Sequence, residues 1–447
     1  MKVRSSWKAA LAAVGVLLAG LASGTAGATA APGSGAPVFW RVPVTAAQAA
    51  GLARAGFDVA ESDREAAYVV GDQAVARQLR TLGYQPSYFD SVYKDVPAAG
   101  APNAPRSAAD DTFYGGYRTV AAQEAHLTQV ASAHPDLATV YSLGPSWKKT
   151  TGQGGHDLKA ICLSKKQAGD CTLSTTSAKP KFVLMAQIHA REISTGELAW
   201  RWIDYLANGY ASDPTAKSIL DTTEVWVIPI ANPDGVDIVA SGGNSPKLQR
   251  KNADNTRGGC SGTNVGIDVN RNSTFEWGGD SNSPCAETYQ GASAGSEPET
   301  QALEKFFRAI YPVQRGTGTT DPASTTARGT MITLHSYGND IVIPWGFTQA
   351  NSPNDAQYRK LGAKFTAANG YLVGTNRETV GYDTSGTTDD FTYGTLGVAS
   401  FTFEVGASSG TCGGFLPKYS CVDSTFWPKN KGAFITAAQA AAAPYRQ

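Results

Sequence analysis

Four short apolar runs constrain this chain more than any other feature. They are "KFVLMAQIH" (181–189), "VWVIPIAN" (225–232), "TMITLHS" (330–336) and "VASFTFE" (398–404). Each is rich in β-branched or aromatic residues and lacks a clean polar alternation. A strand with one wet face alternates, whereas a strand buried on both faces runs apolar. The runs therefore predict the buried strands of a largely parallel or mixed sheet, sandwiched between helices. Helix-like segments fall between them, as in "VAAQEAHLTQVASAH" (120–134), 194–208 and 298–310, while the polar stretch 315–329 reads as a loop.

The N-terminal part has a different rhythm. A basic start, "MKVRSSWK", precedes the apolar "AALAAVGVLLAGLA" and the small residues "ATA". This reads as a secretory signal over residues 1–30, removed near Ala30–Ala31. The apolar run is short for a membrane span, and no later run is long enough, so the mature chain is expected to be soluble and extracellular. Residues 31–95 follow the order β-α-β-β-α-β, a ferredoxin-like α+β unit. They hold no histidine and no cysteine. Such a unit behind a signal suggests a pro-domain, with an accessory binding domain as the other reading. Residues 96–112 include the Pro- and Ala-rich "VPAAGAPNAPRSAAD" and read as a linker and activation site for a protease. Residues 113–447 form the catalytic candidate.

Charge and cysteines narrow the class. Lys+Arg 38 balances Asp+Glu 38, which gives no electrostatic reason to expect nucleic acid or an anionic membrane as partner. The six cysteines fall into sequential pairs: Cys162 with Cys171, Cys260 with Cys285, and Cys412 with Cys421. In an oxidising compartment, short loops favour pairing between neighbours. A thiolate metal site is the rival, but no C-x-x-C spacing supports it.

The buried runs end in chemistry-bearing residues. The first ends at His189, the third at His335, and the last at Glu404. Open α/β sheets bind ligands beyond the carboxyl ends of their strands. Only five histidines exist, and His126, His134 and His156 lie elsewhere, the first two on or beside an exposed helix. Glu192 alone could be a helix-start acid favoured by the dipole. With His189 and His335 it completes two His and one Glu, a recognised catalytic zinc set.

"HARE", "NPDG", "QRKN", "GIDVNRN", "SPCAETYQG", "HSYG" and "FTFE" occur in this order. They resemble the zinc carboxypeptidases of the A/B type, in the style of secreted bacterial carboxypeptidase T-like enzymes. The resemblance spans roughly 113–430. It implies one Zn²⁺ held by His189, Glu192 and His335, with Asp268 hydrogen-bonded to the far nitrogen of His189. It implies Glu404 as the general base toward the attacking water and Arg250 as the stabiliser of the oxyanion. Asn270 and Arg271 would hold the substrate's terminal carboxylate, Tyr382 would close over it, and Arg191 and Tyr337 would face upstream residues. The family disulfide corresponds to Cys260–Cys285. Calcium occurs in some bacterial relatives, but no Asp-rich loop here supports it.

The same resemblance puts the floor of the specificity pocket at the seventh residue after Tyr382, which is Asp389. An acid there would attract Lys or Arg. Asp390 beside it allows a one-residue slip. Arg377 could reach in and partly neutralise the acid, and Trp345, Phe347 and Phe391 could add apolar wall. The expectation is a pocket for basic and hydrophobic C-terminal residues, in a monomer acting on peptides or proteins with a free C-terminus. A peptidase or amidase of cell-wall peptides is the alternative. A non-catalytic binding module is more remote, since no ligand or base is missing.

Overall fold

A computed structural model describes residues 35–63, 65–94 and 111–447. The expected signal at 1–30 and nearly all of the 96–112 linker lie outside the described residues.

The N-terminal part comprises β1 (Val38–Pro43), α1 (Ala46–Arg54), β2 (Asp58–Ser62), β3 (Ala66–Gly71), α2 (Gln73–Thr81) and β4 (Ser87–Ser91). Its four strands pair in the order β2-β3-β1-β4, each neighbour antiparallel. That order is the split βαβ arrangement expected from the sequence. Thr45 and Gln48 close a reciprocal cap at the start of α1, and the Asp72 carboxylate accepts from Ala74 and Val75 at the start of α2.

A short hairpin, β5 (Thr112–Phe113) and β6 (Tyr117–Arg118), leads into the larger part. There follow α3 (Val120–Ala133), β7 (Ala138–Pro145), α4 (Trp147–Thr150), β8 (Asp157–Leu163), β9 (Lys181–Ala186), α5 (Ile193–Gly209), α6 (Pro214–Thr222), β10 (Glu224–Ile228) and α7 (Pro233–Ala240). After a long loop region come α8 (Pro298–Ile310), β11 (Thr330–His335), β12 (Asp340–Ile343), α9 (Asp355–Asn369), β13 (Leu372–Thr375), α10 (Thr388–Leu396), β14 (Ala399–Glu404) and α11 (Trp427–Ala440). Eight strands make one sheet in the order β13-β12-β14-β11-β9-β10-β8-β7. The four apolar runs are its centre: β10, β9, β11 and β14 are mutually parallel. Antiparallel β8 and β12 flank them.

Both faces of this sheet are covered. Phe182, Leu184 and Ala186 pack on one side with Leu198, Trp202 and Leu206 of α5. Val183 and Met185 pack on the other with Phe306 and Phe307 of α8. Period-two alternation thus persists in β9, but both phases meet apolar layers, which is why the run shows no polar phase. Full burial of each such side chain contributes about 1.5–3 kcal/mol.

One expectation fails here. His126 is not on an exposed face. It is buried on α3, stacked on Trp200 with ring centroids 3.5 Å apart, and its Nε2 lies 2.8 Å from Asp204. Among the described residues, no helix is long and apolar enough to cross a membrane. Three disulfides join Cys162–Cys171, Cys260–Cys285 and Cys412–Cys421.

Candidate active site

Parallel strands deliver their C-terminal residues to one edge. Strand β9 ends at Ala186, where Gln187 turns the chain with φ 47°. Gly196 makes room for that turn, since a Cβ there would lie 2.1 Å from the Gln187 side-chain oxygen. The turn is pinned by Thr195, whose hydroxyl accepts from the Gln187 N–H at 3.2 Å and donates to the Glu192 carbonyl at 2.8 Å. His189 and Glu192 are thereby set just before α5. Neighbouring β11 ends at His335, in register with Glu404 at the end of β14.

His189, Glu192 and His335 converge, with one ligand atom from each lying within 4.8 Å of the others. His189 Nδ1 is 2.8 Å from Glu192 Oε1, and His335 Nδ1 is 3.1 Å from Glu192 Oε2. The two Nδ1 atoms are 3.0 Å apart. The far nitrogen of His189, Nε2, faces Asp268 Oδ1 at 3.2 Å, which favours its proton on that side and a lone pair on Nδ1. The Nδ1 atoms of two buried imidazoles and the oxygens of a buried carboxylate therefore crowd one point. A cation would relieve that arrangement, and the donor set suits Zn²⁺.

The acids of the site are set apart by their neighbours. Burial alone would raise the Glu192 carboxyl, but His189 and His335 hold it well below the usual range. Burial would likewise raise Asp268, yet Arg250, His189 and Arg271 hold it low. Glu404 behaves oppositely. Burial pushes it well up, with Glu192 and Asp340 adding and Arg250 opposing.

All of these groups but Asp268 line one cleft of about 710 Å³, its open mouth included. His189, Glu192, His335, Arg250, Asn270, Arg271, Tyr337, Tyr382, Asp389 and Glu404 all line it. Asn270 is oriented by Thr388, whose N–H and hydroxyl donate to its side-chain oxygen at 3.0 and 2.8 Å, leaving the amide N–H₂ to point elsewhere. Arg271 is paired with Asp280 at 3.2 Å. Asp268 stands behind the wall, held by Arg250.

The pocket near Asp389 sharpens. Asp389 lines the cleft and accepts from Thr402 at 3.1 Å, whereas Asp390 accepts the backbone N–H groups of Gly346 and Phe347. Four expected neighbours are placed differently. Arg377 pairs with Asp383 on the surface at 2.9 Å instead of entering the cleft. Phe391 is fully buried in the core, and Trp345 stacks on Phe275, so the interior claims both rings. Phe347 joins that same aromatic group.

The small N-terminal sheet lies over this region. Ala60 and Glu61 line the cleft. Glu61 accepts from Ser408 at 2.9 Å, and the Ser62 hydroxyl donates to the Val380 carbonyl at 3.1 Å. Phe39 meets Tyr337 edge-on with centroids 5.6 Å apart. Arg191 does not line the cleft. Its guanidinium is buried against Asp58, to which it donates at 2.5 and 2.8 Å. Sequence reasoning passed over Asp58, Glu61, Glu287 and Asp340. Only Glu287 carried a signal, lying inside "SPCAETYQG"; the others depend on contacts between distant segments.

The zinc carboxypeptidase family model matches residues 123–429. A zinc carboxypeptidase of Saccharothrix mutabilis subsp. capreolus is 28% identical over 429 residues, covering 93% of this chain and 92% of its own. Carboxypeptidase B of Helicoverpa zea is 28% identical over 332 residues, covering 70% of this chain and 68% of its own. The crystal structure of carboxypeptidase A from Helicoverpa armigera superposes with a TM-score of 0.69 at 20% identity, covering 92% of this chain and 98% of the other. That of thrombin activatable fibrinolysis inhibitor gives 0.68 at 20% identity, covering 92% and 99%. The chain belongs to the zinc carboxypeptidase family and is a metallopeptidase, a hydrolase.

Proposed function

We propose that this protein is a secreted carboxypeptidase that removes single C-terminal residues from peptides and proteins. The observation carrying this reading is the shared cleft: the His189–Glu192–His335 cluster and the cationic Arg271 wall open into one space. His189, Glu192 and His335 would hold Zn²⁺, which when bound supplies Lewis acidity toward the scissile carbonyl and acidifies water.

The chain's own groups do the rest. Asn270 and Arg271 bind the substrate's terminal carboxylate, Arg through its planar fork, and Tyr382 closes over it. This sets the last peptide bond beside Glu404. Glu404 takes a proton from the attacking water as its oxygen bonds to the carbonyl carbon. Arg250 offers N–H groups to the oxygen that gains charge. The C–N bond then breaks, and the proton held by Glu404 passes to the departing amine. Asp389 faces the side chain being removed and favours Lys or Arg, with bulky apolar ends also accepted.

Residues 35–94 act as a cover. Glu61 lies in the cleft and Asp58 occupies Arg191, so a long substrate cannot enter until a protease cuts in the 96–112 stretch and the cover leaves. The disulfides suit the oxidising exterior of the cell.

The deciding assay pairs a short peptide bearing a free C-terminus with the same peptide amidated. Hydrolysis of the first alone, abolished by a chelator and restored by zinc, is the expected result. Equal cleavage of both would overturn the reading.

A further inference from the structure

Arg191 is held by two carboxylates, one from each part of the chain. Asp58 on β2 takes both of its hydrogen bonds. Glu287 lies 3.5 Å from the same guanidinium, close enough for an ion pair and with no hydrogen bond to that oxygen. Phe415 covers the flat face, 4.1 Å from ring centroid to the guanidinium carbon.

The two acids stand on different footings. Asp58 belongs to an edge strand of the small sheet. Glu287 sits in a stapled loop. The Cys260–Cys285 bridge closes two residues before it, and Lys251 donates to the carbonyls of Pro284 and Ala286 at 2.9 and 2.8 Å. The Tyr289 carbonyl accepts from Asp268, the residue behind His189. Glu287 is thus fixed relative to the metal cluster, and it stays when the cover goes.

A guanidinium stripped of the carboxylate that, among the described residues, takes its hydrogen bonds needs another partner. We infer that Glu287 is a positioning residue that takes Arg191 from Asp58 when the cover leaves, and holds it with free N–H groups turned to the substrate's upstream backbone carbonyl. The inference rests on the proposed role of Arg191 toward upstream residues. Asp58 then blocks the cleft twice, by covering it and by occupying the donor a peptide would use.

The test uses the folded full chain, trimmed by limited proteolysis, and two N-blocked substrates with the same C-terminal residue. The short one has no carbonyl upstream of the scissile bond; the long one has one more peptide unit. Glu287→Gln is expected to raise KM for the long substrate roughly tenfold while leaving kcat, and KM for the short one, within about twofold, the signature of lost ground-state binding. Glu287→Asp should recover most of the loss. Arg191→Gln should show the same length dependence. If Arg191→Gln shows none, the upstream role of Arg191 is wrong and the inference goes with it. If Arg191→Gln shows it and Glu287→Gln does not, only the inference about Glu287 is overturned. An equal rise on both substrates also overturns it. A crystal structure of the trimmed wild-type protein decides the point without any variant: Arg191 within about 3.2 Å of Glu287 supports the handover, and an Arg191 swung away from it refutes it.

Discussion

Arg250 donates two hydrogen bonds to one oxygen of Asp268, at 3.0 and 2.9 Å, while the other oxygen lies 3.2 Å from His189. One buried carboxylate thus orients both the imidazole proposed to ligate zinc and the guanidinium proposed for the oxyanion. Asp268→Asn keeps the shape and removes the charge. Zinc affinity should fall about 10–100-fold, as for other carboxylates behind a ligating histidine. Competition titration against a chelator of known affinity measures it, and an unchanged dissociation constant would show that Asp268 does not tune the site.

Glu404→Gln keeps the volume and hydrogen-bonding capacity but cannot accept the proton. Turnover should fall at least 10²–10⁴-fold, roughly the general-base contribution, with zinc content unchanged. Metal analysis beside steady-state kinetics separates the two quantities. Retained turnover would move the base elsewhere.

Of the adjacent acids Asp389 and Asp390, Asp389 is the one that lines the cleft. In Asp389→Leu, kcat/KM for a C-terminal Arg should drop about 100-fold relative to a C-terminal Phe, because a desolvated charge loses its partner. Matched peptides differing only in the last residue give the ratio directly.

His156 makes a stability prediction away from the cleft. Hydrogen bonds to Asp237, then Glu124, raise its imidazole from 6.5 to about 10. A folded-state value above the unfolded one stabilises fully below pH 6.5 and is lost as pH rises through about 10. The Tm gap between wild type and His156→Gln should therefore be largest near pH 6 and close by about pH 10. Thermal melts across that range check it; a gap that widens with pH has the wrong sign.

Asp58→Asn removes the charged hydrogen bonds to Arg191 from the covering sheet. The untrimmed variant should hydrolyse a large substrate several-fold faster than the untrimmed wild type, and the two should match once trimmed. Equal rates before trimming would mean the cover does not rely on this pair.

The sheet could be read from the chain because its centre is made of four runs whose burial on both faces leaves no polar phase. Much of the site could be read because His189, His335 and Glu404 close those runs, and parallel strands bring their last residues to one edge. Arg377 lies away from the cleft for a physical reason: Asp383, six residues on, pairs with it locally at the surface. Trp345 and Phe391 are buried instead, because an aromatic ring fits a pocket wall and a core equally well. Asp58 and Arg191 are 133 positions apart. Arg191 sits inside "HARE", but Asp58 has no local pattern that marks it, and only the docking of the small sheet brings the two together.

The last described residues before the linker are themselves docked. Tyr93 bridges to Leu416 and its hydroxyl donates to the Pro246 carbonyl at 3.0 Å. A cut in the following stretch would sever the tether without breaking these contacts. It would turn an intramolecular contact, held at high effective concentration, into an ordinary bimolecular complex. Activation would then be governed by mass action: freshly cut protein would stay quiet when concentrated and awaken on dilution, with the freed N-terminal piece serving as a competitive inhibitor whose potency is its own dissociation constant.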